Sequence, residues 1–246
     1  MKVGVMNSTM KKISLFLFTT VWSSIVHGEI LEIYTWKPYP GEANKLIADM
    51  QEAAEIHADL GISVTISALG IGTAGDIDYV LSYEDLESWG RLKDATNSSL
   101  RWNTFYQRLG ENPSGELVES FMMTNHDASN RVNPFTEAGS VVGFFRWEPA
   151  PGLAGSEALR QGFATAKSIH ETLGARVESY QVNNGQEGVS DMMYLMIYSN
   201  HSHMAEVNAA MFTNADWIAF QQSVDAQPEM AATLKSSGIA QMAGSY

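Results

Sequence analysis

Hydrophobic and polar residues along the chain follow two periods, one typical of strands and one typical of helices. Residues 30–36 alternate and are rich in β-forming side chains, which predicts a strand. Residues 42–59 place apolar side chains every three or four positions, as one buried face of a helix does. The elements that follow are predicted strands at 62–69 and 77–83, a helical stretch at 86–109 interrupted near Asn97, and a weaker strand at 117–123.

The same order of elements returns in the second half of the chain. Residues 34–41 read YTWKPYPG and residues 145–152 read FRWEPAPG, at an offset of 111. Further matches, all in the same order, are Ile56-His57 with Ile169-His170, Leu60-Gly61 with Leu173-Gly174, and Trp102/Phe105 with Trp217/Phe220. Matches that keep their order indicate an internal repeat. The second series comprises predicted strands at 141–147, 176–182, 192–198 and 233–242, and predicted helices at 156–173 and 202–224.

Each series has the order β-α-β-β-α-β, which is the ferredoxin-like plan of an antiparallel sheet with its helices on one face. We therefore predict an α+β fold with two tandem ferredoxin-like repeats, at 29–124 and 140–246, joined by a polar linker at 125–139. Such a sheet leaves its other face bare. The two bare faces are expected to cover each other within one chain.

The element order, the unit length and the Pro-Gly turn after the first strand resemble the dimeric α/β-barrel superfamily. Its members include NIPSNAP proteins, antibiotic-biosynthesis monooxygenases, haem-degrading monooxygenases and the relatives of chlorite dismutase. The resemblance covers nearly all of the chain after residue 28 and implies a tandem fusion that forms an intramolecular dimeric α/β barrel. It implies no particular reaction, because members range from enzymes to proteins with no known activity.

The first residues have the features of a signal peptide. Lys2, Lys11 and Lys12 precede an uncharged apolar run of 14 residues at 13–26, and Val26-His27-Gly28 supplies small residues at the −3 and −1 positions of a cleavage site. A membrane-spanning helix needs about 20 residues. We predict that 1–28 is removed and that the mature protein is exported, either to the periplasm or to the medium, with no transmembrane span. An uncleaved anchor is the alternative.

Composition excludes several classes of function. The chain has 246 residues, with 15 Lys and Arg against 28 Asp and Glu, a formal net charge of −13, and no cysteine. Binding to nucleic acid needs a surplus of basic residues, so a nucleic-acid partner is not expected. The lack of cysteine rules out disulfides, thiolate metal sites and a cysteine nucleophile. A homo-oligomer is left open.

The histidines do not indicate a cofactor or a metal. His57 and His170 recur at equivalent helix ends, where a histidine commonly interacts with the last carbonyl groups. His201-Ser202-His203 has metal-ligand spacing but no identifiable third ligand, and Asn200 or Ser202 more simply caps the helix that follows. The predicted strands contain no histidine, which argues against a histidine-ligated haem. We therefore predict neither a cofactor nor a metal.

Aromatic residues recur at equivalent strand positions. Alternation places Glu32, Tyr34 and Trp36 on one face of the first strand, opposite Leu31 and Ile33. Because an unpaired buried carboxylate is costly, the Glu32 face is predicted to point into the barrel rather than beneath the helices. The predicted lining of a ligand site is Tyr34, Trp36, Tyr79, Tyr83, Phe145, Trp147, Tyr194 and Tyr198, with Arg146 on the opposite face.

Three functions are compatible with this pattern, and no catalytic residue can be assigned. The first, which we favour, is an exported protein that binds a small apolar or aromatic ligand, or a partner, through the barrel. The second is a cofactor-independent monooxygenase-like enzyme, whose chemistry needs few recognisable residues. The third is a structural or interaction protein with a filled barrel. A cavity of about 300 Å³ or more would favour a ligand.

Overall fold

The computed structural model describes residues 28–73, 75–125, 137–185, 188–227 and 231–246, and in these it contains eight strands and six helices. The first half comprises β1 (Ile30–Pro38), α1 (Ala43–Asp59), β2 (Ser63–Ile71), β3 (Ile77–Tyr83), α2 (Leu86–Ser98), α3 (Leu100–Glu111) and β4 (Gly115–Asn125). The second half comprises β5 (Val141–Pro149), α4 (Leu153–Thr172), β6 (Arg176–Gly185), β7 (Met192–Tyr198), α5 (His201–Met211), α6 (Ala215–Asp225) and β8 (Ala232–Ser245).

The predicted order of elements is confirmed, with differences in detail. The interruption predicted near Asn97 is present: Ser99 caps α3, its side chain accepting a hydrogen bond from the backbone N–H of Trp102. Asn214 caps α6 in the same way, so the single helix predicted at 202–224 is also two helices. β6 continues through Gly185, three residues beyond the strand predicted at 176–182. The signal peptide up to residue 27 and most of the predicted linker, 126–136, lie outside the described residues.

All eight strands described form one closed barrel, and every neighbouring pair is antiparallel. Their order around the barrel is β1-β3-β2-β8-β5-β7-β6-β4. Each half supplies four adjacent strands, and the halves join edge to edge, through β2 with β8 and through β4 with β6. The intramolecular barrel is confirmed. Closure leaves none of these strands with an unpaired edge.

Three hydrophobic clusters follow from this arrangement. The barrel interior holds residues of both halves, among them Leu31, Val80, Met123, Tyr180 and Leu195. The other two clusters lie outside the barrel, each between the sheet of one half and the helices of that half. The strands thus have helices on one side and the strands of the other half on the other, although residues 116–118 of β4 and 233–237 of β8 are exposed. Within the described residues, no helix has the length and apolar character that crossing a membrane requires.

Candidate functional site

The eight aromatic residues predicted to line a ligand site lie on the outer face of the barrel. Tyr34, Trp36, Tyr79 and Tyr83 belong to the cluster beneath the helices of the first half. Their counterparts, listed in chain order, pack beneath the helices of the second half: Phe145, Trp147, Tyr194 and Tyr198. The prediction that this face points into the barrel is therefore wrong.

Glu32 explains the error. Its carboxylate is buried, but it is not unpaired: Oε1 accepts a hydrogen bond from Trp89 Nε1 at 2.8 Å, and Oε2 accepts one from Lys93 Nζ at 2.9 Å. The hydroxyl groups of Tyr34 and Tyr83 also donate to Oε2, at 3.1 and 3.3 Å. Paired and hydrogen-bonded charges tolerate burial. Both main donors come from α2, so the sequence of β1 alone could not show them.

The repeated histidines turn inward beneath the helices instead of interacting with the helix ends. His57 Nδ1 lies 2.7 Å from the hydroxyl of Tyr79, and its ring centroid lies 4.5 Å from that of Trp102. His170 repeats the arrangement with Tyr194 at 2.9 Å and Trp217 at 4.5 Å.

Desolvation lowers the pKa of both His57 and His170 to about 4, so both imidazoles are neutral near pH 7. Nε2 of His170 is buried and lacks a hydrogen-bond partner among the described residues. Each histidine lies 3–4% exposed among aromatic rings. This environment indicates a packing role for the pair.

The His201-x-His203 pair lies at the beginning of α5. The Asn200 side chain accepts the backbone N–H of His203 at 2.9 Å, so Asn200 is the helix cap that the sequence suggests. His203 Nδ1 in turn accepts the backbone N–H of Ser199 at 3.2 Å. In the part of the chain that the structure describes, no three His, Asp or Glu side chains are grouped as metal ligands.

One end of the barrel interior contains a cavity of about 390 Å³. Its apolar wall is contributed by both halves and includes Ile33, Val80, Phe121, Val142, Phe144 and Leu195. The small polar residues that line it are Thr35, Ser67, Thr73, Ser236 and Ser237. Small residues from β1, β2 and β8 thus face this end, which leaves space that larger side chains fill in a closely packed barrel.

The opposite end of the interior is filled by buried polar residues. Glu29 accepts hydrogen bonds from Ser82 Oγ at 2.6 Å and from the hydroxyl of Tyr180 at 3.0 Å. Glu178, which is fully buried, pairs with Arg176 at 3.1 Å. Burial raises the pKa of both carboxyl groups. The cavity therefore has its access from the end at which Thr35 and Ser236 lie.

A charged cluster stands at that end. Arg146 faces the cavity. The sequence places it on the strand face opposite the aromatic residues, and because those residues lie on the outer face, Arg146 lies on the inner one. Its Nη1 donates to Glu119 Oε1 at 2.6 Å and its Nε donates to Asp191 Oδ2 at 2.8 Å. The guanidinium also lies 5.4 Å from the centre of the Phe121 ring. Two carboxylates thus share this one cation.

Asp78 is the other carboxyl group in the cavity wall. Thr35 Oγ1 donates to its Oδ1 at 2.6 Å. Burial raises the pKa of Asp78 to about 6, and the charges of Glu119 and Asp76 add to the effect, which the hydrogen bond from Thr35 partly offsets. Sequence reasoning missed Asp78 and Glu119 because it assigned the opposite strand face to the interior. A signal for the inner face was present in the sequence: Asp78 and Arg146 are polar residues that lie between the aromatic positions of their strands.

The sequence matches no protein-family model and no curated protein. Its structure is similar to a proposed monooxygenase from Lactobacillus acidophilus, with a TM-score of 0.57 and 9% identity over 87% of this chain and 93% of that chain. A proposed monooxygenase from Fusobacterium nucleatum gives a TM-score of 0.58 and 10% identity over 89% and 94% of the two chains. An anthrone oxidase-like protein gives 0.56 and 12% identity over 91% and 94%.

Each similarity extends over most of both chains and therefore over both halves of the barrel. At 9–12% identity it concerns the fold and not the reaction. The closed ring of strands, the two helical layers and these similarities agree on one architecture. The chain has the fold of the dimeric α/β-barrel proteins, with both halves of the barrel in a single polypeptide.

Proposed function

We propose that the protein binds a small, mainly apolar organic molecule in the cavity inside its barrel. The observation that carries the proposal is the cavity itself, whose volume of about 390 Å³ lies within the range of small-molecule sites. Apolar side chains of both halves form most of its wall, and a few polar groups stand at its accessible end. This combination is typical of ligand pockets, in which polar groups fix the orientation of an apolar molecule.

The wall of the cavity depends on a glycine. A Cβ atom added to Gly238 would lie 2.4 Å from Cζ of Phe144 and 2.6 Å from the carbonyl oxygen of Ile71. Both distances are shorter than van der Waals contact. Only glycine at this position therefore allows the Phe144 ring to lie against β8 and, at the same time, β2 to pair with β8. Phe144 thereby forms a flat aromatic wall, which suits a planar molecule.

The test is binding of the neutral fluorescent probe N-phenyl-1-naphthylamine. We expect the parent protein to bind it, and we expect Ser236→Phe, which places a ring at the accessible end beside Arg146, to weaken binding by about tenfold or more. Ser236 is exposed, so the melting temperature should change little. Fluorescence titration and thermal unfolding measure the two quantities.

Adjacent residues of β5 supply a matched control. Phe144 lines the cavity, whereas Phe145 packs beneath the helices of the second half. Phe144→Leu should weaken probe binding, and Phe145→Leu should leave it unchanged. Absence of binding by the parent, or equal effects of the two variants, would contradict the proposal and favour a barrel without a ligand.

The same cavity would also serve an oxygenase-like reaction, the second function compatible with the sequence. Two of the similar structures are described as proposed monooxygenases, and a carboxyl group of raised pKa such as Asp78 is suited to accept a proton from a bound molecule. Oxygen uptake by the purified protein in the presence of a bound ligand would distinguish a reaction from binding alone.

Export is a further proposal, and it rests on the sequence of residues 1–28. We expect the protein recovered from the cell envelope or the medium to begin at Glu29, because a basic segment, a short apolar run and Gly28 follow each other as in a cleaved signal peptide. Gly28→Arg should leave the precursor uncleaved, since the −1 position requires a small side chain. N-terminal sequencing and intact mass identify the first residue of the mature protein. A mature protein that retains Met1 would contradict the proposal.

A further inference from the structure

We infer that the molecule in the cavity carries a positively charged amine on an aromatic body, and that its ammonium group binds the carboxylate of Asp78. The inference rests on the proposed function and names the class of ligand for that same cavity. It is carried by the position of Asp78, the shortage of cations around it, and the aromatic side chains of the wall.

The carboxylate of Asp78 can accept further hydrogen bonds. Its Oδ1 accepts the hydrogen bond from Thr35 at 2.6 Å, and among the described residues Thr35 is the one side chain that donates to this carboxylate. A carboxylate has about four lone-pair sites, so one donor leaves most of its capacity unused. Asp78 keeps part of its surface accessible within the cavity, where a bound molecule can reach it.

The described residues that line the cavity do not neutralise this charge. Arg146 is their one cation, and it already donates to two carboxylates, Glu119 at 2.6 Å and Asp191 at 2.8 Å. Three carboxyl groups, those two and Asp78, therefore face a single guanidinium. The potential in the cavity favours a cationic ligand and disfavours an anionic one.

An ammonium group would also remove an existing cost. Burial and the neighbouring charges of Glu119 and Asp76 raise the pKa of Asp78 to about 6, which shows that its ionised form is held in an unfavourable environment. An ammonium ion beside it favours the ionised form, because a charge-assisted hydrogen bond in a water-poor site is among the strongest polar contacts. A carboxylate on the ligand would have the opposite effect.

The body of the ligand follows from the other walls. Phe121 and Phe144 present rings to a space of about 390 Å³, which suits an aromatic system of two or three fused rings. A primary amine attached by one methylene to such a ring system matches both the apolar wall and Asp78.

The test compares three naphthalene compounds that differ in one polar group: 2-naphthylmethylamine, 2-naphthalenemethanol and 2-naphthoate. In calorimetric titrations near neutral pH, we expect the amine to bind the parent protein about tenfold more tightly than the alcohol. The naphthoate should bind at least about tenfold more weakly than the alcohol, because it meets uncompensated carboxylates.

Asp78→Asn should remove the preference for the amine and leave the affinity for the alcohol unchanged. Glu52→Gln is the matched control, because it makes the same change at an exposed position of α1 where Glu52 pairs with Arg108. Glu52→Gln should retain the full preference. If Asp78→Asn fails to fold, the three compounds measured on the parent protein still decide.

The outcomes separate the two proposals. Equal affinities for amine and alcohol, or a preference that survives in Asp78→Asn, would overturn the inference about the amine while the proposed binding of an apolar molecule stands. Tighter binding of the naphthoate would overturn it as well. If none of the three compounds binds and the neutral probe also fails to bind, the proposed function fails, and this inference fails with it.

Discussion

Lys93→Met is expected to lower the free energy of unfolding by about 3 kcal/mol. The variant removes the cation that lies 2.9 Å from the carboxylate of Glu32, whose side chain is 9% exposed beneath α2. Removal of Lys93 leaves the charge of Glu32 buried without a counter-ion, which costs far more than the pair itself contributes. Urea denaturation at about pH 7.5 measures the change.

Two further variants make this expectation specific. Lys235→Met removes the cation of a pair with Glu148 in which both side chains are about half exposed, and it should change stability by less than about 1 kcal/mol. The double variant Glu32→Gln/Lys93→Met removes both charges and should recover much of the loss. Equal effects of Lys93→Met and Lys235→Met would show that Glu32 does not depend on Lys93.

The second large effect concerns acid. Both His57 and His170 have a pKa lowered from 6.5 to about 4 in the folded protein. Well above pH 6.5 they are neutral in the folded and unfolded states, so their protonation does not change stability there. As the pH falls from 6.5 towards 4, the unfolded chain binds these protons and the folded protein does not. Each histidine should therefore lower the free energy of unfolding by up to about 3 kcal/mol in this window.

Carboxyl groups act in the opposite direction and must be separated from this effect. The raised pKa values of Asp78, Glu29 and Glu178 mean that the folded protein binds their protons first, which adds stability as the pH falls. The double variant His170→Phe/Tyr194→Phe removes one histidine together with its hydroxyl partner and leaves those carboxyl groups unchanged.

Between pH 7 and pH 4, the free energy of unfolding of this double variant should fall by about 3 kcal/mol less than that of the parent, as measured by urea denaturation. The comparison uses the change with pH within each protein, so a constant difference in packing does not affect it. Tyr198→Phe, which removes a hydroxyl from the same outer cluster, should keep the slope of the parent. An unaltered slope in the double variant would mean that His170 titrates normally.

The order of strands and helices was accessible from sequence because period and repetition support each other. The Trp36 and Trp147 turns and the His57 and His170 helix ends align the halves, and the structure has the same elements in both. Helix breaks were less accessible: the one at Asn214 depends on a single capping side chain within an otherwise continuous pattern.

The face of each strand could not be decided in this way. Both faces are buried in this fold, so alternation alone does not distinguish the barrel interior from the helical layer. The choice of the inner face therefore rested on Glu32, whose partners Trp89 and Lys93 lie 57 and 61 residues away in the chain. Pairing across such a separation is a tertiary effect, and it reversed the assignment.

The cavity was even harder to predict from the sequence, because it is a property of the assembled barrel. Ser67 of β2 and Ser236 of β8 line one cavity only after the two halves have joined, although they are 169 residues apart in the chain. Each serine by itself is an ordinary strand residue. The charges of Arg146 and Glu119 likewise meet across the barrel from different halves.

The two seams of the barrel have a consequence for its synthesis on the ribosome. β8, at Ala232–Ser245, pairs with β2 and β5, so the ring cannot close until β8 has been translated. Until then the nascent chain displays the edges of β2 and β5, and open edges invite pairing with other chains. A chain terminated shortly before β8 would keep those edges permanently. Loss of β8 is therefore more harmful than its length of 14 residues suggests.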